Sequence, residues 1–166
     1  MRDLSFYYSS ADQCWRTPPE LFARLHEEFS FTCDAAALEA SALLPNWYGP
    51  NNPDETRRDG LSVPWSGVVW CNPPYGRAVG HWIAKAARES ERGVTSVLLV
   101  MANTDTKYWH DHAWRATEIR FVRGRIKFLR ADGAPANCAP KGSALLVFTP
   151  AGNNGIAPVM TAYRQD

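Results

Sequence analysis

The chain contains no Cys-x-x-Cys pair, no Gly-x-Gly-x-x-Gly loop and no apolar run near the roughly 18 residues that cross a membrane. Its four cysteines, Cys14, Cys33, Cys71 and Cys138, are scattered. Neither a zinc site nor a disulfide framework is indicated. Cys33 and Cys71 each end an apolar run and read as buried thiols, which fits a reducing, intracellular setting. Met1–Ser5 carry no signal-peptide core. His110 and His112 stand two apart, so on a helix they point apart and make no metal pair. Internal repeats and low-complexity segments are also lacking.

What remains is an ordinary globular composition. Hydrophobic residues make up 45% of 166 residues, enough for one domain with a real core. We expect that domain to span 1–166, with 1–14 as an arm and 150–166 as a tail that partly frays. Net charge is only +1, but it is unevenly spread. Residues 1–60 hold five Arg against ten Asp or Glu, giving −5. Residues 115–130 hold Arg115, Arg120, Arg123, Arg125, Lys127 and Arg130 against Glu118, giving +5. A basic stretch in a dipolar chain is a weak footprint for a polyanion. The plainer reading, a solvated face, has equal standing.

The most informative stretch is Val68-Val69-Trp70-Cys71-Asn72-Pro73-Pro74-Tyr75-Gly76. A short apolar run, β-branched at its start, stops at Asn72 and reads as a buried strand. Asn72 precedes a proline and is held extended. Two prolines then stiffen the corner and remove two donors. In open α/β sheets the carboxyl end of a strand is where ligands bind. An exocyclic amine on a planar base has two N–H donors. The Asn72 oxygen and the Pro73 carbonyl can each accept one, and Tyr75 can stack on the ring. That pairing draws electron density to the nitrogen, which can then attack a sulfonium methyl group in line. No metal or covalent intermediate is needed. A bare Pro-Pro pair would read as a turn; strand, Asn, Tyr and a following helix together favour the site.

Along the chain, Thr17-Pro18-Pro19-Glu20 predicts a capped helix start, with Leu21, Phe22, Leu25 and Phe29 at helical spacing. His26 reads as a surface or core-edge histidine. Phe29–Cys33 reads as a strand leading to Asp34, and Ala35–Ala40 as the opening of a second helix. Asp34 is a candidate contact for a nucleoside cofactor; its plain alternative is a helix cap. Asn46–Tyr48 reads as a short strand and 49–58 as a loop. Asp59 is a second candidate contact, with an Asp-Gly turn as its alternative. Fewer than 40 residues separate Asp34 from Asn72, so one helix there is reduced to a loop. Val79–Ala87 predicts a helix, Val94–Val100 a central strand, and Tyr108–Ala113 a helix. Glu118–Val122 and Ile126–Leu129 read as two strands joined by a turn at Arg123–Arg125, and Ala144–Phe148 as the last strand. This is an α/β layered pattern.

Over about residues 15–148 the chain resembles the phage-type DNA N-6-adenine methyltransferases, the small Dam-like family. The resemblance rests on Trp15–Pro18, Phe31–Ala36, Asp59–Leu61 with Trp65, Val69–Gly76, Thr104–Thr106 with Trp109-His110, and Gly124–Phe128. Asn-Pro-Pro-Tyr by itself is similar to the box of amine methyltransferases generally. The resemblance implies a compact Rossmann-like class I methyltransferase fold, with a mostly parallel central sheet and an antiparallel C-terminal part. It further implies S-adenosylmethionine (SAM) as donor, adenine in DNA as acceptor, and action in the host cytoplasm. Catalytic positions would be Asn72, Pro73, Pro74 and Tyr75. Asp34 and Ala35 would hold the methionine part of SAM, Asp59 would lie near the adenosine, and Thr17 and Pro18 would close over the cofactor, with Asn72 beside it. Arg123, Arg125 and Lys127 would hold phosphates. The missing glycine loop departs from the usual cofactor fingerprint.

Two other readings stay open at this point. One is a methyltransferase for an RNA base or a protein glutamine amide, since a glutamine side chain offers the same planar amide. The other is a non-catalytic nucleic-acid-binding module. Oligomeric state and recognition sequence are not legible.

Overall fold

Strand β3 (Thr95–Met101) is buried on both faces and lies in the middle of a six-stranded sheet. The structure is a computed structural model and describes residues 15–130, 132–136 and 139–165. The expected arm 1–14, with Cys14 and also Cys138, lies outside the described residues. The elements run α1 (Pro19–Phe29), β1 (Cys33–Asp34), β2 (Val68–Cys71), α2 (Val79–Ser90), β3, α3 (Lys107–Asp111), β4 (Glu118–Val122), β5 (Ser143–Phe148) and β6 (Val159–Tyr163). The sheet order is β1-β2-β3-β5-β4-β6. β1, β2 and β3 pair in parallel, β5 runs against both of its neighbours, and β6 lies parallel to β4. This is the expected α/β fold of Rossmann-like type, mostly parallel with an antiparallel part.

Period-two alternation builds the two faces. On β2, Val69 and Cys71 join one core with Trp82, Ile83 and Trp109, while Trp70 joins the other with Leu21, Leu25 and Phe128. α2 and α3 thus cover one face, and α1 with residues 126–128 covers the other. Leu21, Phe22 and Leu25 are the buried side of α1, each contributing on the order of 1.5–3 kcal/mol by leaving water. Cys33 and Cys71 are free, buried thiols. No helix of the described residues is long and apolar enough to cross a membrane.

Several expectations need correction. Ala35–Ala40 is not a helix. The amides of Ala35 and Ala37 are drawn to the carbonyls of Trp70 and Tyr48 at 2.8 and 2.9 Å, and only a short turn forms over Leu38–Ala42. Backbone crowding holds that path: a Cβ on Gly49 would lie 1.7 Å from the Ala37 carbonyl oxygen, and one on Gly60 2.2 Å from that of Ala35. The connection from β1 to β2 therefore has no α-helix, only short turns, among them a single 3-10 turn at Glu55–Arg57. Thr17 does not cap α1; Pro18 occupies the cap position without a side-chain bond.

Ile126–Leu129 does not form a hairpin with β4, because β5 and β6 already take both edges of β4. The segment keeps its alternation, with Ile126 and Phe128 fully buried, and Leu129 bridges Arg16 and Pro135 instead. The expected helix over Tyr108–Ala113 breaks after Asp111 into a tight turn at Ala113–Arg115. The tail does not simply fray: Val159–Tyr163 adds the edge strand β6, anchored by Val159 N–H to Thr117 and Arg123 N–H to the Tyr163 carbonyl.

Candidate active site

The register of the parallel strands decides what meets at their carboxyl ends. Cys33 pairs with Val69 and Asp34 with Trp70, so Asp34 and Asn72 end neighbouring strands. β2 stops where proline removes its donors. The cleft above is lined by Trp15, Arg16, Thr17, Asp34, Ala36, Trp70, Asn72, Pro73 and Pro74, among others.

The Asn72 amide is held at both ends. Its Nδ2 donates to the Trp15 carbonyl at 2.7 Å and to Thr17 Oγ1 at 3.2 Å. Its Oδ1 accepts from the Tyr75 hydroxyl at 3.1 Å. One further lone pair on Oδ1 remains. Among the described residues no donor reaches the Pro73 carbonyl. Tyr75 is buried, and it stands behind Asn72 rather than on the cleft wall. Its ring meets Trp15 at 5.7 Å and Phe128 at 5.8 Å, both edge-on. Burial pushes the phenol far above its ordinary pKa, so it remains a donor.

Asp34 is buried at the cleft wall. Oδ1 accepts from Ala36 N–H at 3.4 Å and Oδ2 from Leu43 N–H at 3.2 Å. Desolvation raises its carboxyl from 3.8 to about 6, against the opposite pull of those two amides. The carboxylate thus shapes the 35–43 loop and keeps acceptor capacity in hand. Of the other expected cofactor positions, Thr17 is on the wall and Pro18 faces an adjoining groove. Ala35 is fully buried in the core of the opposite face. Asp59 is not on the wall; it accepts from Leu61 N–H at 3.0 Å in the Asp-Gly turn.

Three of the six cations in the basic stretch are already spent. Arg115 pairs with Glu91, Arg130 with Asp132, and Arg120 grips Glu28 at 2.7 and 2.8 Å and Glu118 at 3.0 Å. Arg123, Arg125 and Lys127 have no carboxylate partner among the described residues. Arg125 and Lys127 line a groove with Arg24, Pro18 and Gln165. Arg123 is exposed outside it.

Sequence reasoning missed the Trp15 carbonyl as the acceptor for Asn72 Nδ2, Trp70 as cleft wall and Arg24 as a groove residue. Trp15 carried a signal, since it opens the Trp15–Pro18 segment; Arg24 carried none, because only packing brings α1 to residue 125. A family model described as DNA N-6-adenine-methyltransferase (Dam) matches residues 6–164. No curated protein matches the chain.

Proposed function

From the premise that this chain belongs to the DNA N-6-adenine-methyltransferase family, we propose that it transfers a methyl group from SAM to the N6 amine of adenine in DNA. The observation that carries the reading is the Asn72 corner. Two acceptors, Asn72 Oδ1 and the Pro73 carbonyl, stand at the end of β2 with the amide's donor end spent elsewhere. They suit the two N–H groups of an aromatic amine.

A base within a duplex is out of reach, so adenine must be flipped out at a cost of a few kcal/mol. Asn72 and Pro73 then orient the amine and draw density to its nitrogen, while Pro74 keeps the corner rigid. Stacking of the base on Tyr75 requires Trp15 or Phe128 to give way; otherwise the ring buttresses Asn72. The donor set fits SAM: Asp34 is a desolvated carboxylate on the cleft wall with spare acceptor capacity. Asp34 would hold the cofactor, on the wall that it shares with Thr17 and Asn72. SAM, when bound, supplies an electrophilic sulfonium methyl group. Arg125 and Lys127, with Arg123 nearby, would contact phosphates, which position the protein without reading sequence. The setting is the host cytoplasm, where DNA and SAM are both at hand.

The test is methyl transfer from labelled SAM to DNA, RNA and protein in parallel, with adenine-free DNA as control. Label in adenine of DNA is the expected result. Label only in RNA or in glutamine amides would replace this reading by the alternative that shares the same corner.

A further inference from the structure

We infer that Thr17 is a positioning residue: its hydroxyl, together with the Trp15 carbonyl, sets which end of the Asn72 amide meets the target amine. This rests on the methyltransferase reading above and deepens it. A primary amide is nearly symmetric in shape and opposite in chemistry at its two ends. Turned the wrong way, Asn72 would aim donors at donors. A carboxylate at that position would have no such problem, because its two oxygens are equivalent.

Two contacts forbid the flip. A carbonyl cannot donate, so the 2.7 Å contact with the Trp15 carbonyl identifies the near atom of Asn72 as nitrogen. Thr17 Oγ1 takes the second N–H at 3.2 Å, which accounts for both amide donors. Oδ1 is thereby turned to the Tyr75 side, where acceptor capacity remains.

Thr17 is well held for this task. Arg16 before it exchanges both backbone hydrogen bonds with Leu129, at 2.8 and 3.0 Å. Pro18 and Pro19 after it start α1. The residue is 5% exposed, and its hydroxyl is not used to cap the helix. A threonine kept only for packing would need no hydroxyl at this point.

The test is Thr17→Val, which keeps the shape and deletes the acceptor, beside Thr17→Ser, which keeps the acceptor. Thr17→Val should lower kcat for DNA methylation by roughly three- to tenfold. Affinities for SAM and DNA should stay within about twofold of parental, and Thr17→Ser should recover kcat. Parental kcat in Thr17→Val, or a loss confined to SAM affinity, overturns the inference. Should Val lower the melting temperature, Thr17→Ala deletes the same acceptor with a smaller side chain and must show the same kcat loss. Asn72→Ala separates the two levels. If it keeps turnover, the reading of the corner falls and the inference with it. If it abolishes turnover while Thr17→Val is parental, only the inference falls.

Discussion

The Tyr75 hydroxyl donates to Asn72 Oδ1 at 3.1 Å, so one side chain of the Asn-Pro-Pro-Tyr corner occupies the oxygen that a target amine would seek. The ring itself is boxed by Trp15 and Phe128. Hydroxyl and ring therefore have separable tasks. Tyr75→Phe should cost about 0.5–1.5 kcal/mol of stability through the lost hydrogen bond. Turnover should remain within about threefold of parental, because Oδ1 is freed rather than lost. Tyr75→Ala should lower turnover far more, since it removes the ring that buttresses Asn72. Urea unfolding and single-turnover methylation of both variants provide the comparison. Loss of turnover in Tyr75→Phe as large as in Tyr75→Ala would give the hydroxyl a direct part in the reaction.

Asn72 itself carries the sharpest expectation. Asn72→Ala removes one of the two acceptors proposed for the amine while leaving Asp34 and the rest of the cleft wall in place. Methyl transfer should fall by two to three orders of magnitude, roughly the cost of deleting a preorganised polar group at a reacting centre. SAM affinity by calorimetry should be nearly unchanged. Unchanged turnover would remove the proposed role of the corner.

The parts of the fold legible in the sequence were those fixed by period. β2, β3 and β5 are apolar runs ended by breakers, and α1 and α2 show one apolar face. The corner at Asn72 was legible for the same reason, because proline dictates backbone geometry locally. What escaped was set by distant partners. Ala35–Ala40 has helical propensity, yet the Trp70 and Tyr48 carbonyls claim its amides and two glycines let other backbone close on it. Ile126–Leu129 alternates like a strand, but no free edge of β4 was left for it. β6 hid behind a Gly-, Asn- and Pro-rich approach. Thr17 looked like a helix cap from its neighbours alone, and Asn72, 55 residues away, uses it instead.

Asp34 gives a prediction with a definite sign. Burial raises its carboxyl from 3.8 to about 6 in the folded protein. The folded state thus holds a proton that the unfolded chain releases between those values. The contribution of Asp34 to stability is fully present below about 3.8 and is lost as pH rises through about 6. Relative to parent, Asp34→Asn should gain as much as roughly 3 kcal/mol between acid and neutral pH. A constant offset for the lost amide contact should accompany it. Parallel stability curves for the two proteins would refute the shift. A cationic cofactor prefers the ionised carboxylate, so SAM affinity should weaken as pH falls through the same range in the parent and not in Asp34→Asn.

The groove between α1 and residues 125–129 yields the last prediction. Arg24, Arg125 and Lys127 line it, and none has a carboxylate partner among the described residues. Leu129, at the end of that segment, is bonded through backbone to Arg16, which lies on the wall of the Asn72 cleft. A strand held in the groove would therefore run beside the corner proposed to receive the base. Each phosphate contact contributes about −0.9 to the slope of log affinity against log salt. Replacing Arg125 and Lys127 by Gln should flatten the slope by roughly two units, and adding Arg24→Gln by about one more. Preference among DNA sequences should hardly change, because backbone contacts carry no base information. Arg120 is the control. It lies in the same basic stretch but is spent on Glu28 and Glu118, and Glu28 holds its guanidinium pKa above the ordinary value. Arg120→Gln should lower stability and leave the salt slope alone. A parental slope in the Arg125/Lys127 double variant would mean that the groove is solvated surface. The phosphate-binding face would then be sought elsewhere, first at Arg123.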